Sequence, residues 1–193
     1  MESVAQSAAE VWRPDYTPGM ITGAMNRAMC ERLVAIAEKI GFERSRVYGV
    51  GNVPADAPEI RGSDSASIGT VEHREYYALV ADIVRRYNAE HCRFAIGALD
   101  PIQVIRYRPG ARFKQHSDIG AADTANRKVS VILQLSDPGA YEGGDLELTD
   151  GMIVSRAQGD GCVFPSWLVH EVHAVTSGIR YSLVAWAIGD YFR

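Results

Sequence analysis

The stretch Val129-Ser130-Val131-Ile132-Leu133-Gln134-Leu135 runs into Ser136-Asp137-Pro138-Gly139, and then Asp145-Leu146-Glu147-Leu148 lies between Gly143-Gly144 and Asp150-Gly151. Its reading decides the fold. The first run is rich in β-branched residues, is too short for an ordinary helix and stops at a Pro-Gly turn signal, so it predicts a strand. The second is a shorter strand between glycine turns. Outward from this centre the same rhythm continues. Strands are predicted at 93–96, 102–107, 129–135, 145–148, 153–156, 161–164, 171–175 and 180–188. Breakers such as Arg108-Pro109-Gly110 and Ser177-Gly178 separate them. About eight short strands joined by tight turns predict a double-sheet jelly roll, that is, a double-stranded β-helix.

Upstream the period changes. Met25, Met29, Leu33, Ile36, Ala37 and Ile40 recur at three- and four-residue steps and predict a helix from near Thr22 to a stop at Gly41. Tyr76, Tyr77, Leu79, Val80, Ile83, Val84 and Tyr87 form the apolar side of a second helix, over 71–90. Residues 1–20, broken by Pro14, Pro18 and Gly19, read as an irregular arm, and 45–70, rich in Gly and Pro, as a flexible working loop. The class is α+β, two helices packing on one face of the jelly roll. The expected organisation is a single domain over 1–193, with a helical part at 1–92 and a jelly-roll core at 93–190.

With 193 residues, 47% hydrophobic and 23% charged, the chain is ordinary for a globular domain, not a disordered or fibrous one. A net charge of -4 lacks the basic footprint of a dedicated nucleic-acid binder. No apolar run reaches the roughly 20 residues that span a bilayer. Met1 to Glu10 has no secretory pattern, and Cys30, Cys92 and Cys162 are odd in number and far apart. The expectation is a cytoplasmic protein with reduced, buried thiols and no membrane or nucleic-acid partner. Oligomeric state leaves no mark.

One constellation carries chemistry. His116-Ser117-Asp118 follows the Arg108-Pro109-Gly110 turn, and in an extended segment residues i and i+2 share a face. With His170 far downstream, two imidazoles and one carboxylate would leave coordination positions open, which suits a non-heme Fe(II) oxygenase better than a closed structural zinc site. A lone HxD also arises by chance, as a hydrogen-bonded pair in a loop. His173 is the rival third ligand, but three residues on in a strand it faces the other way. His73 and His91 read as solvated. Arg180 opens the otherwise apolar run 181–188 and demands an anionic partner, either a carboxylate ligand or an acidic side chain. Ser182, two residues on, could add a hydroxyl donor. Gly143-Gly144 reads as a bulge or hairpin, without the helix start of a phosphate loop. Trp167 either walls the site or packs in the core; Trp186 and Phe164 read as core. Arg61, Ser63 and Asp64 lie in the long loop and read as solvated loop residues, with substrate contact as the alternative.

Tyr107-Arg108-Pro109-Gly110, His116-x-Asp118, Arg127-Lys128-Val129-Ser130, Leu135-Ser136-Asp137-Pro138, Tyr141-Glu142-Gly143-Gly144-Asp145-Leu146, Phe164-Pro165-Ser166 with His170-Glu171-Val172, and Gly178-x-Arg180-x-Ser182 occur in this order. Over residues 100–190 the chain resembles the Fe(II)/2-oxoglutarate-dependent dioxygenase superfamily, in its prolyl-4-hydroxylase-like branch with the bacterial PKHD-type hydroxylases. The resemblance implies His116, Asp118 and His170 as iron ligands and Arg180 as the partner of the far carboxylate of 2-oxoglutarate. It also implies cosubstrate contacts from Tyr107 and Gln134. Many animal prolyl hydroxylases carry Lys where Arg180 stands; Arg keeps the charge and changes its geometry to a fork. The implied activity is hydroxylation of an unactivated C–H bond using Fe(II), 2-oxoglutarate and O2, with release of succinate and CO2. The implied substrate is proline, peptidyl or free, another amino acid, or a small metabolite. Two alternatives stay open: a non-catalytic iron/2-oxoglutarate sensor, and a cupin-type metalloenzyme that uses O2 without 2-oxoglutarate.

Overall fold

The structure, a computed structural model, describes residues 13–48 and 54–192. Most of the arm at 1–20 and the centre of the 45–70 loop lie outside the described residues. The elements are β1 (Gly19–Ile21), α1 (Arg27–Ile40), β2 (Glu43–Arg44), β3 (Val47–Tyr48), β4 (Pro54–Ala55), β5 (Asp64–Ser67), α2 (Arg74–Tyr87), β6 (Ile96–Leu99), β7 (Gln103–Tyr107) and β8 (Phe113–His116). They continue with β9 (Arg127–Gln134), β10 (Tyr141–Gly143), β11 (Leu146–Leu148), β12 (Met152–Ile153), β13 (Gly161–Pro165), β14 (His170–Val172), β15 (Val175–Gly178) and β16 (Arg180–Gly189).

Both helices form where expected, with shorter ends. α1 begins at Arg27, not near Thr22, because the Asn26 side chain accepts the Met29 N–H at 2.9 Å and caps the first turn there. Gly41, at φ 96°, closes it. α2 is trimmed from 71–90 to Arg74–Tyr87 and passes into a five-residue π-type turn, Asn88–Cys92, that ends at Arg93 in the left-handed region. That turn tucks His91 against Tyr87, ring centroids 4.7 Å apart, so His91 is half-buried, as is His73. Among the described residues no helix is long and apolar enough to cross a membrane.

The major sheet runs β1-β13-β9-β16-β7-β5-β2, with β6 on the other end of β16, all antiparallel. A minor sheet, β12-β11-β14-β8, and the pair β10-β15 complete the jelly roll. Alternation along β16 and β9 builds two cores from one sheet. Leu183, Ala185, Ala187, Val129, Val131 and Leu133 face the helices with Leu33, Tyr76 and Val80. Val184, Trp186 and Ile132 face the interior between the sheets with Phe164, Leu146 and Leu148. All three cysteines are buried and free.

Several strands differ from expectation. The strand expected at 93–96 lies at Ile96–Leu99, because the π-type turn uses the chain up to Cys92. The strand expected at 171–175 is two, since the chain leaves the minor sheet after Val172 and joins β10 from Val175. The strand at 153–156 is reduced to Met152–Ile153. Seven described strands were unexpected: β1, β2, β3, β4, β5, β8 and β10. β1 forms inside the arm by pairing with β13, and β5 inside the loop by pairing with β7. β8 forms by pairing with β14. Gly143-Gly144 is a bulge, where the β10-β15 register shifts between Glu142 and Gly143.

Candidate metal centre and anion pocket

β8 and β14 run antiparallel with His116 directly opposite His170, so the ladder itself sets the two imidazoles side by side, ring centroids 4.2 Å apart. Asp118 reaches them differently from expectation. β8 ends at His116, and the following bend folds Asp118 back, with the Asp118 and Ile119 N–H groups donating to the Ser166 carbonyl at 2.8 and 3.1 Å. His116 Nε2 then lies 3.7 Å from Asp118 Oδ1, and His170 Nε2 lies 3.8 Å from Oδ2. All three residues can present one ligand atom within 4.8 Å of the others.

Each imidazole is tethered by its other nitrogen. His116 Nδ1 donates to Lys114 O at 2.8 Å and His170 Nδ1 to Leu168 O at 3.0 Å; a carbonyl only accepts, so both Nδ1 atoms carry the proton. The Nε2 lone pairs therefore face the carboxylate, as a metal requires. Burial, reinforced by neighbouring His170, pushes His116 down to about 4 against the pull of Asp118, so the ring is neutral at neutral pH. Burial alone would raise the Asp118 carboxyl, but the two imidazoles and the Ser130 hydroxyl outweigh it and hold it below the usual carboxylate range. Phe113 stacks on His116 at 3.5 Å, and Phe164 meets His170 edge-on at 4.9 Å.

Arg180 lies at the start of β16, opposite Tyr107 of β7, and Ser182 lies opposite Gln134 of β9. Period-2 alternation turns all four toward the interior. Arg180 is 0% exposed. Its Nη2 donates to Gln134 Oε1 at 2.9 Å, and its guanidinium stands 5.2 Å over the Tyr107 ring. Nε and Nη1 are buried and have no hydrogen-bond partner among the described residues. No described carboxylate pairs with Arg180, so the acidic-side-chain alternative is not what the structure contains. Burial pushes the Tyr107 hydroxyl above its ordinary range despite the nearby Arg180 charge.

The other singled-out residues lie elsewhere. His173 points away from His170 and meets Glu147 at 2.9 Å and Glu171 at 3.4 Å. Trp167 packs among Tyr16, Phe94 and Phe192. Ser63 is buried, and Asp64 pairs with Arg106 at 3.0 Å within the sheet, so neither is a solvated loop residue. Arg61 lies over the Phe113 ring at 4.6 Å. Sequence reasoning missed Phe113, Ser130 and Ser166 around the triad. Ser130 had a visible signal, a hydroxyl inside an apolar run, and Ser166 stood in the Phe164-Pro165-Ser166 motif without a role; Phe113 had none.

A family model described as the 2OG-Fe(II) oxygenase superfamily matches residues 102–188. A PKHD-type hydroxylase of Maricaulis maris is 36% identical over 91 residues, which are 46% of this chain and 42% of that relative. One from Paraburkholderia xenovorans is 28% identical over 167 residues, covering 78% of this chain and 73% of the relative. The chain thus matches less than half the length of the first relative and about three quarters of the second. Among solved structures, a Trichoplax adhaerens prolyl hydroxylase in complex with a hypoxia inducible factor peptide fragment superposes with TM-score 0.73 at 19% identity, over 90% of this chain and 84% of that one. A Pseudomonas putida prolyl-4-hydroxylase superposes with TM-score 0.69 at 22% identity, over 90% and 92%. These superpositions share the fold. The family match over residues 102–188 and the PKHD-type relatives make the chain similar to the 2OG-Fe(II) oxygenase superfamily, the Fe(II)/2-oxoglutarate-dependent dioxygenases, in its prolyl-hydroxylase-like, PKHD-type branch.

Proposed function

We propose that this chain is an Fe(II)- and 2-oxoglutarate-dependent hydroxylase acting on proline, peptidyl or free, or on a related amino acid or small metabolite. The observation that carries this reading is Arg180, a fully buried cation with two unpartnered nitrogens on the same interior as a two-His, one-Asp cluster. A buried charge without an anion costs several kcal/mol, about what a carboxylate ligand would recover. The donor set fits iron: two imidazoles tethered through Nδ1 with Nε2 turned to the carboxylate, and that one carboxylate, leave positions open for a chelating cosubstrate and O2. His116, Asp118 and His170 would hold the metal. Arg180 would receive the far carboxylate of 2-oxoglutarate through Nε and Nη1, while Gln134 orients the guanidinium and Tyr107 and Ser182 line the same pocket. Bound iron and 2-oxoglutarate would supply, with O2, the oxidising power to hydroxylate the substrate C–H bond, 2-oxoglutarate being converted to succinate and CO2. The protein tethers the imidazoles, supplies the buried charge that selects a dicarboxylate and keeps the pocket dry. Arg180 favours this reading over an O2-using enzyme without 2-oxoglutarate, which has no use for a buried cation.

The test is an anaerobic titration of the metal-free chain with Fe(II) and then 2-oxoglutarate, followed by visible absorption. The expected result is the charge-transfer band of chelated 2-oxoglutarate, absent in His170→Ala and displaced to much higher cosubstrate concentration in Arg180→Ala. Bound iron without a band in the unmodified chain overturns the 2-oxoglutarate reading. Succinate formation stimulated by prolyl peptides or by free proline then separates the substrate classes, and none with either moves the assignment to another amino acid or metabolite.

A further inference from the structure

We infer that Ser130 and Ser166 form a buried hydroxyl relay that positions Asp118 in the metal centre. The inference rests on the metal-binding reading above and goes beyond it, because neither serine belongs to the ligand set.

Ser130 and Gln134 flank Ile132 on the inner face of β9. The two polar ones each serve one charged group: Gln134 holds Arg180, and Ser130 Oγ donates to Asp118 Oδ2 at 2.7 Å. One strand therefore spaces the cation and the carboxylate, by four residues or about 13 Å of extended chain. Ser130 Oγ also lies 3.0 Å from Ser166 Oγ. Ser130 has one hydroxyl proton and gives it to the carboxylate, so Ser166 must be the donor of the second bond. The chain of donation is Ser166 to Ser130 to Asp118. Both serines are fully buried, where each hydroxyl depends on its protein partner and the first bond polarises the second.

The main chain of Ser166 makes the same connection a second time. Its carbonyl accepts the Asp118 N–H at 2.8 Å, and its own N–H donates to the Lys128 carbonyl at 3.0 Å, two residues before Ser130. Ser166 also begins the turn in which Leu168 N–H donates to Pro165 O at 2.8 Å, and the Leu168 carbonyl tethers His170. One short segment thus orients two members of the triad. With Oδ2 engaged by Ser130, the carboxylate cannot rotate freely, and Oδ1 stays directed toward His116. The Trp186 indole N–H also lies beside this carboxylate and favours its charged form, but Ser130 makes the close hydrogen bond, at 2.7 Å. Groups that orient a ligand in this way change metal affinity by about 10–100-fold when removed.

The test measures Mn(II) affinity of the full chain by calorimetry, with the thermal midpoint of each metal-free variant recorded beside it. Ser130→Ala is expected to weaken Mn(II) by about 10–100-fold and Ser166→Ala by less. The double variant should be no weaker than Ser130→Ala, because Ser166 acts on the carboxylate side chain through Ser130. A merely structural pair would lower the metal-free midpoint and leave affinity within twofold of the unmodified chain; that result overturns the inference, as do additive losses in the double variant. If Ser130→Ala does not fold, Ser130→Cys keeps the shape with a weaker donor and should fall between the unmodified chain and a tenfold loss, and unchanged affinity in it overturns the inference equally. An unmodified chain that binds no Mn(II) overturns the metal-binding reading itself, an outcome distinct from tight binding that ignores the serines.

Discussion

Replacing Arg180 by Met should separate stability from ligand binding in opposite directions. The side chain is 0% exposed, with one hydrogen bond at 2.9 Å to a neutral amide and a ring face at 5.2 Å as its partners. Dehydrating a guanidinium costs several kcal/mol even after relaxation. The bond to Gln134 returns about 1.5–3 kcal/mol and the Tyr107 face up to about 2 kcal/mol, which leaves the ligand-free protein near balance or in deficit. Met fills most of the volume without the charge and leaves the Gln134 carbonyl unpaired at about 1 kcal/mol. The ligand-free variant should therefore match the unmodified chain or gain about 1–2 kcal/mol, whereas truncating an ordinary buried side chain loses about 2–5 kcal/mol. With 2-oxoglutarate and Mn(II) the ranking reverses. At a hundred times its dissociation constant the ligand adds about 2.7 kcal/mol to the unmodified chain, and the variant should show almost none of that gain. Urea melts with and without 2-oxoglutarate measure both. A ligand-free loss above about 2 kcal/mol, together with an undiminished response to 2-oxoglutarate, would refute the assignment of an unpaired cation awaiting a carboxylate.

Two further outcomes follow from single contacts. Gly144 has φ +66°, and a Cβ there would lie 2.8 Å from Val175 Cγ2 and 3.1 Å from Arg180 Cδ. Gly144→Ala should cost about 2–4 kcal/mol and weaken 2-oxoglutarate several-fold by displacing the Arg180 stem, while Gly110→Ala, at φ +85° with open space, should show only backbone strain of about 1–2 kcal/mol and unchanged affinity. His116, pushed down to about 4 by burial, takes up its proton in the unfolded chain near pH 6.5 and in the folded chain only near 4. The stability this represents is complete above pH 6.5 and is lost as pH falls toward 4, by roughly 3 kcal/mol. Urea melts of the metal-free chain between pH 7.5 and 4 should show that slope, and His116→Gln should flatten it; equal slopes would show that His116 is not buried neutral.

What the sequence made legible was whatever a side chain announces through its own chemistry. β9, β13 and β16 were visible because strands buried on both faces are apolar at nearly every position. α1 and α2 were visible because each carries one apolar stripe. β5 was not, since Asp64-Ser65-Ala66-Ser67 becomes a strand only through its ladder with β7. The HxD segment was visible, but the reason given for its convergence was not the operative one: Asp118 is brought in by a bend bonded to Ser166 rather than by strand alternation. His91 read as solvated because nothing local announces the turn that folds it onto Tyr87.

Read alone, then, the sequence announced the two-helix jelly-roll class, His116, Asp118 and His170 as candidate ligands, and the oddity of an arginine opening an apolar strand. These depend on residue type and period, which are local properties. The tertiary structure alone showed that Arg180 meets no acidic side chain among the described residues, that His173 belongs with Glu147 and Glu171, and that Ser130 and Ser166 stand behind Asp118. Those are questions of partnership between residues tens of positions apart, settled by strand register and by which face of the sheet closes over the other, and no local pattern encodes them.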